Sequence, residues 1–202
     1  MQIGIDFDNT IVDYDALFYK VAHENNMIPG DTPANKVAVR DYLRKIGQEE
    51  VWTEIQGYVY GARMGEAVAY PGAIDFMTRA TKCGHDLFIV SHKTKYPLLG
   101  IQYDLHAAAR AWVIEHLHLG DTPLIPSERV FFELTKEAKI KRLDQIGCQI
   151  FIDDLPEILL SQHFPRTVQR VLFNPGGNSA TGDFPGCLVI RSWADFDKCF
   201  TL

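Results

Sequence analysis

The chain has 202 residues, 47% of them hydrophobic, enough to bury the core of one domain with a small accessory unit. Its 20 basic and 26 acidic residues leave a net charge of −6, which excludes the electrostatic footprint of a protein that binds a nucleic-acid polymer or an anionic membrane. No apolar run reaches the length of a membrane span, and with Met1 leading straight into the first strand no signal peptide is expected.

The first element is the β-branched, apolar run Ile3-Gly4-Ile5, which reads as a buried strand and runs on through Asp6-Phe7-Asp8 into the turn-forming Asn9 and Thr10. Helical spacing then appears over Asp15–Asn26, Val37–Ile46 and Glu49–Gly61, with a Pro/Gly-bearing loop at Ile28–Pro33 and no strand between. After Tyr70-Pro71-Gly72 the character changes to alternating helices and strands. The expected helices are Ala73–Lys82, Tyr103–Leu117, Lys136–Gln145 and Pro156–Gln162. The expected strands are Asp86–Ser91, Arg129–Leu134, Gln149–Asp154, Gln169–Asn174 and Cys187–Ile190. Near-continuous apolar strands separated by helices predict an α/β fold, a mostly parallel sheet with helices on both faces. Asn174-Pro175-Gly176-Gly177-Asn178 lacks the Gly-Lys-Ser/Thr ending of a phosphate loop and reads as a turn. The four cysteines, Cys83, Cys148, Cys187 and Cys199, show no CxxC pairing and no metal-ligand spacing. They read as buried free thiols in a reducing cytoplasm.

In such a sheet, ligands bind outside the carboxyl ends of the strands where the strand order reverses. Three strands deliver polar residues to that edge: Asp6 and Asp8, then Ser91, then Asp153 and Asp154. Carboxylates there resist desolvation and repel one another unless a cation or substrate compensates. Core packing does not explain apolar strands that all turn polar at one edge.

Asp6-Phe7-Asp8-Asn9-Thr10, Ser91 at a strand end, a helix lysine and Asp153-Asp154-Leu155-Pro156-Glu157 together resemble the haloacid dehalogenase-like superfamily, in its magnesium-dependent phosphatase branch. The resemblance implies a Rossmann-like catalytic core over residues 1–13 and 72–202, with 14–71 as a small helical cap inserted after the first strand. It implies Asp6 as nucleophile, forming an aspartyl-phosphate, and Asp8 as general acid and then general base. Mg²⁺ is the implied cofactor, held by Asp6, the main-chain carbonyl of Asp8 and the Asp153/Asp154 pair, with Glu157 as a further acid close by. Ser91, a lysine and the backbone N–H groups of Asn9 and Thr10 would hold the phosphate. Lys136 and Lys139 share a helix face, and Lys139, fourteen residues before Asp153, has the better spacing.

His92, Lys93 and Lys95 follow Ser91 and either line the site mouth or form a solvated loop. Tyr58, Tyr60 and Arg63 are candidate cap contacts to the leaving group, with core packing as the alternative. His116 and His118 read as a helix end rather than a metal site. The expected function is a cytoplasmic phosphomonoester hydrolase acting on a small phosphorylated metabolite, nucleotide-like substrates included. The alternatives are a phosphomutase or phosphotransferase on the same apparatus, or a member that binds a phospho-ligand without turnover. The proton donor at Asp8 favours the phosphomonoesterase or mutase over ATP-cleaving and dehalogenating branches.

Overall fold

The computed structural model of the chain describes residues 1–177 and 184–199; Asn178, the last residue of the expected turn, and the side chain of Cys199 lie outside what it describes. The chain opens with β1 (Gln2–Ile5) and β2 (Val12–Asp13), followed by α1 (Asp15–Glu24), α2 (Lys36–Lys45), α3 (Glu49–Tyr60) and β3 (Val68–Ala69). Then come α4 (Ala73–Lys82), β4 (Asp86–His92), α5 (Leu105–His116) and the short pair β5 (His118–Leu119) and β6 (Thr122–Pro123). The remainder is β7 (Val130–Glu133), α6 (Lys136–Gln145), β8 (Ile150–Asp153), α7 (Pro156–Leu159), β9 (Gln169–Phe173), β10 (Cys187–Ile190) and α8 (Trp193–Cys199). Among the described residues no helix is long and apolar enough to cross a membrane.

Six strands form one sheet in the order β10-β9-β8-β1-β4-β7, every neighbouring pair parallel. The strand order therefore reverses at β1, whose carboxyl end is the switch point of the sheet. Leu172 of β9 packs in one cluster with Ile140 and Leu143 of α6 and Ile158 and Leu159 of α7. Its neighbour Phe173 instead meets Trp193 of α8, ring centroids 5.5 Å apart, and Phe76 of α4 packs on Trp193 and Phe196. Successive strand residues point to opposite faces, so α6 and α7 cover one face of the sheet and α4 and α8 the other. Each such aromatic, fully buried, contributes on the order of 2 kcal/mol of apolar transfer. Gly4 leaves room for its neighbours on the α6 face: a Cβ there would lie 2.9 Å from Phe151 Cδ2 of β8, 3.1 Å from Cys148 Sγ and 3.5 Å from Leu143 Cδ2 of α6.

By compactness the chain divides into two units, 1–12 with 69–93 and 116–202, and 13–68 with 94–115. The first holds the six-stranded sheet. The second is helical, with Phe18 of α1 packed on Trp52 and Tyr60 of α3. It takes in residues 94–115, which the sequence had assigned to the core. Gly57 on α3 and Gly61 directly after it are the reason, because a Cβ at Gly57 would meet Pro97 at 2.7 Å and one at Gly61 would meet Tyr103 at 2.5 Å. The cysteine expectation holds for Cys148, which is buried, and is corrected for the exposed Cys83 and half-buried Cys187; all three are free thiols.

Candidate active site

Asp6 follows β1 and continues its ladder, its N–H donating to the Ile152 carbonyl at 2.9 Å. The parallel register pairs Ile5 with Ile152, so the next residues, Asp6 and Asp153, leave the sheet side by side. Beyond Asp6 the chain folds back on itself. Ile11 and Val12 donate to the Phe7 carbonyl and Asn9 donates to the Val12 carbonyl. Asn9 sits at φ 60°, a left-handed conformation that asparagine tolerates better than most residues. This closed loop corrects one expectation: the Asn9 N–H is engaged within the loop and does not face a phosphate.

Among the described residues the buried polar or charged side chains are Asp6, Thr10, Ser91, Lys93, Lys139 and Asp153. All six lie in this one cluster. Ser91 Oγ at the end of β4 donates to Asp6 Oδ1 at 2.8 Å, and Lys139 Nζ donates to the same oxygen at 2.6 Å. Lys139 Nζ also lies 2.7 Å from Asp153 Oδ2, an ion pair whose angles fall outside hydrogen-bond geometry, so that oxygen is buried without an aligned donor. Asp153 Oδ1 accepts from the Leu155 N–H at 3.0 Å. The Thr10 hydroxyl stands 3.4 Å from both Asp6 Oδ2 and Asp154 Oδ1 and accepts from the Asp154 N–H at 3.1 Å. Lys93 Nζ contacts both oxygens of Asp8, at 2.9 and 2.8 Å.

The helix that carries Lys139 starts at the same edge of the sheet, with the Thr135 hydroxyl accepting from the Ala138 N–H as its N-cap. Lys139 and Leu143 stand one turn apart on its buried face, so the contact that seats Leu143 near Gly4 also aims Lys139 along the sheet towards Asp6. Lys136 is exposed and pairs with Glu157, so neither residue belongs to the buried cluster. His92 is half-buried at the end of β4, opposite Glu133 in the register.

Burial alone would push the Lys139 ammonium down, but Asp153 and Asp6 outweigh it and hold its pKa above the ordinary lysine value. Burial pushes Asp153 up to about 7, against the pull of Lys139 and with the charge of Asp6 adding to the rise. Two carboxylates thus share one buried ammonium. Ligand oxygens of Asp6, Asp153 and Asp154 come within 4.8 Å of one another, which together with the unaligned Asp153 Oδ2 suits a hard, oxygen-seeking divalent cation. The side chain of Asp8 is not in that set; Lys93 holds it instead.

The candidate cap residues are held within the helical unit. Tyr60 accepts from Lys36 Nζ at 2.8 Å and packs edge-on to Tyr14. Arg63 is paired with Glu24 and Glu66 and lies over the Tyr58 ring, and Glu66 is held down at about 2, chiefly by its hydrogen bond from Arg63. His116 ends α5 and His118 opens β5, its ring 2.9 Å from the Gly120 carbonyl. Lys93, expected either at the site mouth or in a solvated loop, is buried and held on Asp8. One contributor escaped sequence reasoning. Trp193, whose Nε1 donates to the Thr10 carbonyl at 3.2 Å, lies on a helix that no expectation covered.

No protein-family model and no curated protein matches the chain. Solved structures do. A predicted phosphatase from Clostridium acetobutylicum superposes with a TM-score of 0.61 at 14% identity, covering 100% of this chain and 98% of that one. A HAD-hydrolase from Bacillus subtilis bound to magnesium gives 0.56 at 17% identity over 100% and 98% of the two chains. A predicted phosphoglycolate phosphatase from Haemophilus somnus gives 0.56 at 15% identity over 98% and 96%. A dehalogenase is as similar, at 0.57 and 11% identity, so the likeness fixes architecture and not reaction. The chain has the Rossmann-like α/β fold of the haloacid dehalogenase-like hydrolases.

Proposed function

We propose that the protein is a Mg²⁺-dependent phosphomonoester hydrolase that acts on a small phosphorylated metabolite through an aspartyl-phosphate on Asp6. One observation carries the reading: the six buried polar and charged side chains among the described residues converge on the Asp6 carboxylate and its neighbours at the switch point of the sheet. A dehalogenase also needs a carboxylate nucleophile, but it has no use for a second acid two residues on that can protonate an alkoxide. Asp6, Asp153 and Asp154 would hold the metal, with the Asp8 main-chain carbonyl as a further oxygen. When bound, Mg²⁺ supplies the charge that lets a carboxylate approach a phosphate dianion.

The protein's own groups divide the remaining work. An Asp6 oxygen attacks phosphorus, the bond to the ester oxygen breaks, and Asp8 delivers the proton that oxygen needs to leave as an alcohol. Asp8 then takes a proton from water as it attacks the aspartyl-phosphate, breaking the P–Asp6 bond and releasing inorganic phosphate. The Ser91 hydroxyl and Lys139 ammonium, both now on Asp6 Oδ1, are the donors placed to hold phosphate oxygens. The free thiols of Cys83, Cys148 and Cys187 support a reducing, cytoplasmic setting.

The test is phosphate release over a panel of sugar phosphates, nucleotides and short-chain phosphates with Mg²⁺. Asp6→Asn should abolish release. Asp8→Asn should lower it by about 10²- to 10⁴-fold while keeping the Mg²⁺-induced rise in melting temperature. Near wild-type turnover in Asp6→Asn would sink the nucleophile, and a silent wild type across the panel would sink the hydrolase reading.

A further inference from the structure

We propose that Lys93 is a positioning residue that sets the Asp8 carboxylate for proton transfer, a role that rests on the hydrolase reading above. Lysine ammonium groups are rarely buried unless paired. This side chain is only 3% exposed, and its ammonium sits 2.9 and 2.8 Å from the two oxygens of Asp8. The contact is anchored at both ends. The Lys93 N–H donates to the Glu133 carbonyl at 2.8 Å, extending the β4–β7 ladder, so the stem of the side chain starts from sheet backbone. Asp8 stands in the closed loop and bridges to Val12.

The site therefore holds two buried ammonium groups. Lys139 serves Asp6 and Asp153, and Lys93 serves Asp8. Both oxygens of Asp8 lie against this one ammonium, which ties the head of the side chain to the end of β4. A group that must deliver a proton to a leaving oxygen depends on where its own oxygens stand, and a misplacement of about 1 Å costs about 10²-fold in rate. Ser91 and Lys139 both donate to Asp6 Oδ1, which places them for the phosphate-holding task.

The role is tested by leaving-group dependence. 4-Nitrophenyl phosphate releases a phenolate that needs no proton, whereas glycerol phosphate must release an alcohol. Single-turnover rates of nitrophenolate and glycerol release are measured with Mg²⁺ for wild type, Lys93→Met and Lys93→Arg. Lys93→Met should slow glycerol release by about 10²-fold and nitrophenolate release by less than about 5-fold. The Mg²⁺-induced rise in melting temperature should persist, because Asp6, Asp153 and Asp154 are untouched. Lys93→Arg keeps the charge but displaces the contact, so it should show the same split in reduced form and carries the comparison where Lys93→Met does not fold. Equal losses on the two esters, or no loss with glycerol phosphate, overturn the positioning role alone. A wild type that releases nothing from either ester overturns the hydrolase reading and this role with it.

Discussion

Replacing Lys139 with methionine removes the one ammonium shared by Asp6 and Asp153 while keeping most of the apolar stem. Breaking a buried ion pair by deleting one partner costs about 3–5 kcal/mol, and because both pairs use the same ammonium the two losses do not add. Asp153 has an escape. It is already pushed up to about 7, so in the variant it stays protonated at a cost near 1.4 kcal/mol for each pH unit above that value. Asp6 keeps the Ser91 hydroxyl but loses its cation, so most of the penalty falls there. The expected loss is about 3 kcal/mol at pH 6.5 and about 4–5 kcal/mol at pH 8, a drop in melting temperature on the order of 10 °C. The Lys139 pKa is raised, so the wild-type ammonium stays charged throughout this range and the difference between the two pH values comes from Asp153. Urea denaturation at the two pH values, with EDTA present, measures it. A loss below about 1 kcal/mol that is the same at both would refute the view that this ammonium holds the buried carboxylates in place.

Metal binding should follow the same group. With its folded pKa near 7 against an ordinary 3.8, Asp153 keeps a proton in the folded protein that the unfolded chain has lost. Metal-free stability therefore falls as pH rises through that window, and Mg²⁺ must displace the proton. The Mg²⁺-induced stabilisation should be larger at pH 8 than at pH 5.5, reaching about 2.7 kcal/mol at a hundred times the dissociation constant. A gain independent of pH would exclude Asp153 as a ligand. Gly4→Ala tests the packing behind the site: a Cβ at 2.9 Å from the Phe151 ring should cost about 1–3 kcal/mol in urea denaturation, and unchanged stability would mean that the Phe151 ring does not crowd that position.

Most of the sheet was legible because its strands are buried on both faces and so read as apolar runs with sharp polar ends. Asp6, Ser91 and Asp153 were legible for the same reason, since a polar residue ending such a run has few structural uses. Lys139 was preferred to Lys136 on spacing, and the structure buries Lys139 against Asp6 and leaves Lys136 exposed beside Glu157. Lys93 was not separable from its neighbours, because a lysine after a strand end is ordinarily solvated and its partner is 85 residues away. Asn9 misled for a local reason. Its N–H was counted as open, yet the loop closes on Val12 and takes it up.

By itself the sequence determined the α/β class, the parallel strands and the three strand ends whose carboxylates and hydroxyl meet. These follow from local pattern, apolar period and the polarity at which each run stops, which neighbouring residues set. Tertiary structure alone decided which carboxylates Lys139 and Lys93 contact, that residues 94–115 pack with residues 13–68, and that Trp193 ties down the Thr10 carbonyl. Each of these depends on close approach between segments far apart in the chain, at the scale of a missing Cβ or a 3 Å contact. Hydrophobic pattern carries no record of such distances.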